Sequence, residues 1–184
     1  MHMKSLLHSL WEITEVIVIA LVTVFLIRSF LIQPFLVSGS SMEPNFSSGD
    51  YLLIDEISYR LREPHRGEVI VFHYPKDKST YYIKRVIGLP GEKIIVKNGE
   101  IRIVNTENPK GLVLDEGYLP GTIETIGTEE RRLNEDEYFV LGDNRQYSFD
   151  SRSWGNLNEN EIVGLVRVRL WPFNKVMAIG QPSY

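Results

Sequence analysis

Two patterns of apolar residues divide the chain. Residues 13–37 read ITEVIVIALVTVFLIRSFLIQPFLV, apolar on every side of a helix. The run is about 25 residues long, enough to cross a bilayer. Its charge-free part, residues 16–27, is too short alone. The span needs Glu15 near one interface and Arg28 snorkelling toward the other, with Pro34 ending the helix. The pattern predicts a short tail over residues 1–12, a single transmembrane anchor over 13–33 and a separate domain over 34–184. A buried core helix would need a polar side that residues 16–27 lack. A cleavable leader is the stronger rival, because Val37-Ser38-Gly39 resembles a small-residue cleavage site, but Arg28 interrupts its apolar region. Lys4 and the amino terminus compete with Arg28, so charge leaves the orientation open.

After Gly39 the helical pattern stops. YLLIDEI (51–57), EVIVFHY (68–74), TYYIKRVI (80–87), YFVLGD (138–143) and IVGLVRVRLW (162–171) are short, β-branched and aromatic. Each is bounded by Gly, Pro, Asn or Asp, so each reads as a strand. In KIIVKNGEIRIV, Asn98-Gly99 supplies the positive φ angles of a type I′ turn between matched strands. Residues 105–134 are rich in Gly, Glu, Pro and Thr. Together with the hairpin they read as a small inserted β hairpin and loop subdomain at about 98–136. The predicted fold class is mostly β, an N-terminal helix followed by a β domain with a β insertion.

Composition narrows the chemistry. The 184 residues are 43% hydrophobic with a formal net charge of -4, a balance without the basic excess of a nucleic-acid groove. With no cysteine there is no disulfide and no thiolate zinc site. His2, His8, His65 and His73 fit no ligand spacing, so neither a metal nor another cofactor is expected.

Candidate chemistry lies in three places. In YYIKRVIGLPG, strand periodicity puts Lys84 on one face with Tyr82 and Val86, while Arg85 points to the other. An edge-strand lysine with its ammonium in water is the plain explanation. The alternative is a general base: an ordinary lysine is neutral in only about one molecule in 2,500 at pH 7, but burial disfavours the ammonium. A neutral amine accepts a proton from a hydroxyl without any histidine. Such a hydroxyl is available in VSGSSMEPN, where Ser38, Ser40 and Ser41 flank Gly39 in what is otherwise a polar linker. The third place is GDNRQYSFDSR, which sets Asp143, Arg145, Asp150 and Arg152 around Ser148. It reads either as a turn stapled by Asp–Arg pairs or as a rigid frame that orients an active group.

The ordered set SSMEP, YYIKRVIGLPGE and GDNRQYSFDSR behind an apolar helix closely resembles the bacterial type I signal peptidases, over nearly the whole chain to Leu170. The resemblance implies a membrane-bound serine endopeptidase with Ser41 as nucleophile, its backbone amide as oxyanion donor, and Lys84 as general base. It implies that Ser148 hydrogen-bonds the lysine amine, that Asp143, Arg145, Asp150 and Arg152 shape the site, and that Arg85 is the basic residue after the lysine. Implied partners are preproteins with small residues at positions -1 and -3, and the lipid bilayer, with the amino terminus cytoplasmic and the catalytic domain on the outer face. Two positions depart from the pattern: Gly39 stands where some members carry an oxyanion-binding serine, and Asn45 where threonine is common. A self-cleaving Ser-Lys protease related to SOS repressors would carry a DNA-binding module instead of an anchor. An anchored β domain that binds an exported partner is the non-enzymatic rival.

Overall fold

The computed structural model describes residues 2–30 and 32–182. Helix α1 takes His2–Phe30. It begins well before residue 13, so the expected tail over 1–12 is the first part of the same helix, and it stops short of Pro34. Among the described residues, no helix is long and apolar enough to cross a membrane. The Arg28 side chain, expected at an interface, lies outside what is described. Pro34 belongs instead to strand β1, Ile32–Leu36, paired with Leu53 of β2, Tyr51–Asp55. β1 is the edge of its sheet, where a residue without an N–H is tolerated.

The short helix α2, Ser58–Leu61, leads to β3, Val69–Tyr74, and β4, Asp77–Gly88. Four strands follow: β5, Lys93–Lys97; β6, Glu100–Val104; β7, Leu112–Val113; and β8, Glu129–Arg132. The chain then returns as β9, Glu137–Leu141, turns through α3, Ser151–Trp154, and ends with β10, Leu157–Asn158, β11, Ile162–Trp171, and β12, Met177–Ala178. The main sheet runs β1-β2-β11-β3-β4-β9-β10 with β12 on β11, and a second sheet runs β7-β6-β5-β8. Within both, the paired strands are antiparallel.

Strand β3 explains why its sequence does not alternate. Val69 and Val71 join a cluster with Met42, Phe46, Leu52 and Val166, while Ile70 and Phe72 join Val86, Tyr138, Val140 and Leu157 on the other face. A strand covered on both sides reads as a continuous apolar run. A further cluster packs Ile94, Val96, Ile101 and Ile103 of the second sheet against Ile87, Phe139 and Leu141 of the first. Each fully buried side chain of this size contributes about 1.5–3 kcal/mol. Asn98 and Gly99 adopt φ of 54° and 83°, the two positive values that the hairpin turn requires. The expected excursion at about 98–136 includes β6 to β8, with their partner β5 just before it.

Strand β4 lies between β3 and β9. Lys84 is therefore on an interior strand, opposite Ile70, and the edge-strand explanation fails.

Candidate active site

Lys84 is only 3% exposed. Its Nζ donates to Ser41 Oγ at 2.8 Å and to the Ile83 carbonyl at 2.9 Å, and lies 5.3 Å from the centre of the Tyr82 ring. Burial lowers its pKa from 10.5 to about 8, against the upward pull of the Asp150 and Asp143 carboxylates. About one amine in ten is then neutral at pH 7. A neutral lysine at hydrogen-bond distance from a hydroxyl can take its proton.

Ser41 lies in a turn pinned on both sides. Val37 before it and Met42 and Phe46 after it are buried in one cluster. The Asn144 amide donates to the Ser41 carbonyl at 3.1 Å, and Asn144 Nδ2 donates to the Ser40 carbonyl at 3.1 Å. The Ser41 amide itself donates to no group among the described residues, which leaves it available to an incoming oxygen. Gly39, at φ 98°, has no hydroxyl to offer there; its amide donates to Ser48 Oγ at 3.4 Å. Ser38, Gly39 and Ser40 line the same cleft as Ser41 and Lys84, a space of about 310 Å³ with Val37, Leu52, Val71 and Ile83 as apolar walls and Tyr147 and Phe149 at its rim.

The third cluster meets these residues from below. Its glycine fits tightly: a Cβ on Gly142 would stand 2.2 Å from Ser148 Oγ and 2.3 Å from the Ser41 carbonyl. Asp143 and Asp150 are fully buried. Asp150 accepts from the Gly142 amide at 3.1 Å and from Arg152 Nε and Nη2 at 2.8 Å each, and it caps α3. Arg152 Nη1 in turn donates to the Ile126 carbonyl at 2.9 Å. Asp143 pairs outside the turn, with Arg85 of β4, whose Nη1 also holds the Gly67 carbonyl at 2.8 Å. Arg145 likewise leaves the turn: its Nη1 reaches Glu116 in the excursion. Of the expected Asp–Arg staples within the turn, only Asp150–Arg152 is internal.

One expected contact is not made. Ser148 Oγ is buried without a hydrogen-bond partner and packs against Gly142 instead of bonding the Lys84 amine. The two hydrogen bonds of Lys84 Nζ go to Ser41 and Ile83. Asn45, the departure from the family pattern, has a defined job: its Nδ2 donates to Asp143 Oδ2 at 2.8 Å and to the Tyr118 carbonyl at 3.2 Å. Sequence reading missed Glu116, Tyr118 and the double clamp by Asn144. Nothing local in the sequence marks Glu116. Among the described residues, no group of three or more His, Cys, Asp or Glu is placed to hold a metal ion.

The class of the protein follows from this body. Residues 10–171 match the profile of the family described as signal peptidase, peptidase S26. The chain belongs to that family. Within it, the chain is 37% identical over 172 residues to a probable signal peptidase I-2 of Synechocystis, covering 90% of this chain and 75% of that protein. It is 41% identical over 148 residues to the signal peptidase I of Bacillus caldolyticus, covering 76% and 79%. With the signal peptidase IB of Staphylococcus aureus it shares 33% over 170 residues, covering 86% and 88%. A crystal structure of a signal peptidase I from Enterococcus faecalis is 27% identical, with a TM-score of 0.48 over 57% of this chain and 97% of its own.

Proposed function

We propose that the protein is a serine endopeptidase that removes N-terminal signal peptides from preproteins, with Ser41 as nucleophile and Lys84 as general base. The observation that carries this is the contact of 2.8 Å between a buried lysine amine and a serine hydroxyl that both line a cleft. Ser41 Oγ bonds to the scissile carbonyl carbon while its proton passes to neutral Lys84 Nζ. The carbonyl electrons move to oxygen, where the Ser41 amide donates. Collapse breaks the carbon–nitrogen bond, and the lysine gives its proton to the departing amine. Water, losing a proton to the again-neutral Lys84 Nζ, then attacks the acyl carbon, and the carbon–Ser41 oxygen bond breaks as the lysine returns that proton to Ser41 Oγ. The apolar walls of the cleft suit short side chains at -1 and -3.

Membrane contact is part of the proposal. Val16, Ile17, Val18, Ile19 and Leu21 of α1 are exposed at nearly successive positions, so apolar surface faces out on all sides of the helix. A second apolar row supports the same reading. Leu36, Tyr51 and Trp171 are register neighbours across β1, β2 and β11, all exposed, and Phe173 packs edge-on against Trp171 at 4.6 Å. Aromatic residues beside aliphatic ones suit the bilayer interface. An amino terminus inside the cell and a catalytic domain on its outer face rest on the family resemblance.

The test is mass spectrometry of the products when the purified full chain meets a preprotein in detergent or lipid. Cleavage after a small residue, lost by at least about 10³-fold in Ser41→Ala and in Lys84→Ala, is the expected result. Cleavage persisting in both variants would end the assignment.

A further inference from the structure

The excursion from the main sheet sends one stretch, Glu116 to Thr125, back against the candidate site. Arg145, only 1% exposed, sends both terminal nitrogens of its guanidinium there. Nη1 donates to Glu116 Oε2 at 2.6 Å and to Thr125 Oγ1 at 2.7 Å, and Nη2 donates to the Tyr118 hydroxyl at 2.8 Å. Nε turns back to the Gly142 carbonyl at 3.0 Å. The Tyr118 hydroxyl donates to Glu116 Oε1 at 2.8 Å, which closes a ring of three polar side chains. Meanwhile the Tyr118 ring lies 4.2 Å beneath the Arg85 guanidinium, and its carbonyl accepts from Asn45, which also bonds Asp143.

The contacts to Arg145 end on the segment that clamps Ser41, and those to Arg85 and Asn45 reach it through Asp143. Arg145 is bonded to Gly142 and is the chain neighbour of Asn144, whose amide holds the Ser41 carbonyl. A buried guanidinium needs its counter-charge to stay in place. Among the described residues, only Glu116 of the excursion supplies one to Arg145 through an ion pair.

Resting on the reading given above, we propose that Glu116 and Tyr118 are positioning residues for the reaction. By fixing Arg145 and Arg85 they set the turn at residues 142–145, and through Asn144 the placement of Ser41 against Lys84. Neither touches the cleft, so neither contributes to holding substrate. The excursion is thereby a working part of the site, although its strands form a separate sheet.

Steady-state cleavage of a preprotein by the full chain tests this, with active sites counted by a serine-acylating inhibitor. The variants are Tyr118→Phe, which removes one oxygen and keeps the ring on Arg85, and Glu116→Gln. The control is Asp115→Asn, a neighbouring exposed carboxylate. The expected result is a fall of about tenfold in kcat per titrated site in Tyr118→Phe, a larger fall in Glu116→Gln, KM within about twofold, and an unchanged control. If Glu116→Gln fails to fold, Tyr118→Phe alone decides. Parental kcat per titrated site, with loss only in the titrated fraction or in thermal stability, would reduce both residues to scaffolding and overturn the proposal. A rise in KM with kcat unchanged would overturn it as well. Cleavage by Ser41→Ala at the parental rate would instead sink the underlying reading of the reaction.

Discussion

Arg85 grips Asp143 by both carboxylate oxygens, Nε to Oδ1 at 2.8 Å and Nη2 to Oδ2 at 2.6 Å, with both side chains buried. The pair joins β4, which carries Lys84, to the turn that clamps Ser41. Removing one partner strands the other charge in the interior. Asp143→Ala should destabilise the fold by about 3–5 kcal/mol, while Arg85→Met with Asp143→Leu should recover most of that loss. Urea denaturation of the single and double variants checks it, and a single-variant loss below about 1 kcal/mol would contradict the arrangement.

The pH profile reports Lys84 directly. The proposed reaction uses Lys84 as a neutral amine, and burial holds its pKa at about 8. Below that value kcat/KM should fall about tenfold per pH unit, and above it the rate should level off. A profile flat from pH 6 to 9 would mean that another group takes the proton.

The same burial weakens the fold. Below pH 8 the amine is protonated in both folded and unfolded chains, so the full penalty for a buried charge is present. From about 8 to 10.5 the folded chain sheds this proton while the unfolded chain keeps it, so stability rises with pH. Above 10.5 the penalty is gone. Replacing the ammonium should remove about 3 kcal/mol of cost at neutral pH, less about 1 kcal/mol for each of the two lost hydrogen bonds. Lys84→Met should thus be inactive yet more stable by about 1 kcal/mol at pH 7, with the gain turning into a loss of about 1–2 kcal/mol toward pH 10.5, where the parent no longer carries the buried charge. Equal or lower stability at pH 7 would mean that the amine is not desolvated.

Gly142 admits no side chain. In Gly142→Ala the new methyl meets the Ser41 carbonyl and the Ser148 hydroxyl at distances no real contact has, and one of these is backbone. The Ser41 turn must give way. Cleavage should fall about 100-fold with a modest stability loss of about 1–3 kcal/mol. Activity within threefold of the parent would show the turn to be looser than its packing.

The exposed row on β2 and β11 should matter only where lipid is present. Trp171→Ser with Phe173→Ser is expected to lower binding to lipid vesicles about tenfold or more, since the two lost side chains each carry large apolar area. Cleavage of a short soluble peptide should not change. Equal vesicle binding by parent and variant would remove this row from the membrane reading.

How much of this was legible in the sequence depended on range. Local signals held: β4 and β11 fell where alternation and β-branching placed them, and Asn98-Gly99 took the two positive φ angles its turn demanded. Lys84 could be put beside Tyr82 by counting in twos, but counting could not bury it; that followed from β3 and β9 flanking its strand. Partners far apart in sequence stayed hidden. Asp143 and Arg145 read as members of one turn, yet they pair with Arg85 and Glu116, because a carboxylate or guanidinium carries no directional mark in a sequence. The helix boundary was misjudged for a related reason: Pro34 signals a stop, and it does not signal that β1 has already begun.

Strand β1 opens almost where α1 ends, and residues 31–40 alone separate that end from Ser41. Even fully stretched, so short a connector reaches about 35 Å, and pairing with β2 holds its Ile32–Leu36 part in a fixed line. The reactive oxygen thus works on a leash of set radius. With α1 held at the bilayer as proposed, a polypeptide to be cut presents its bond within that radius, so the spacing between a preprotein's apolar stretch and its scissile bond would be measured against the enzyme's own first strand.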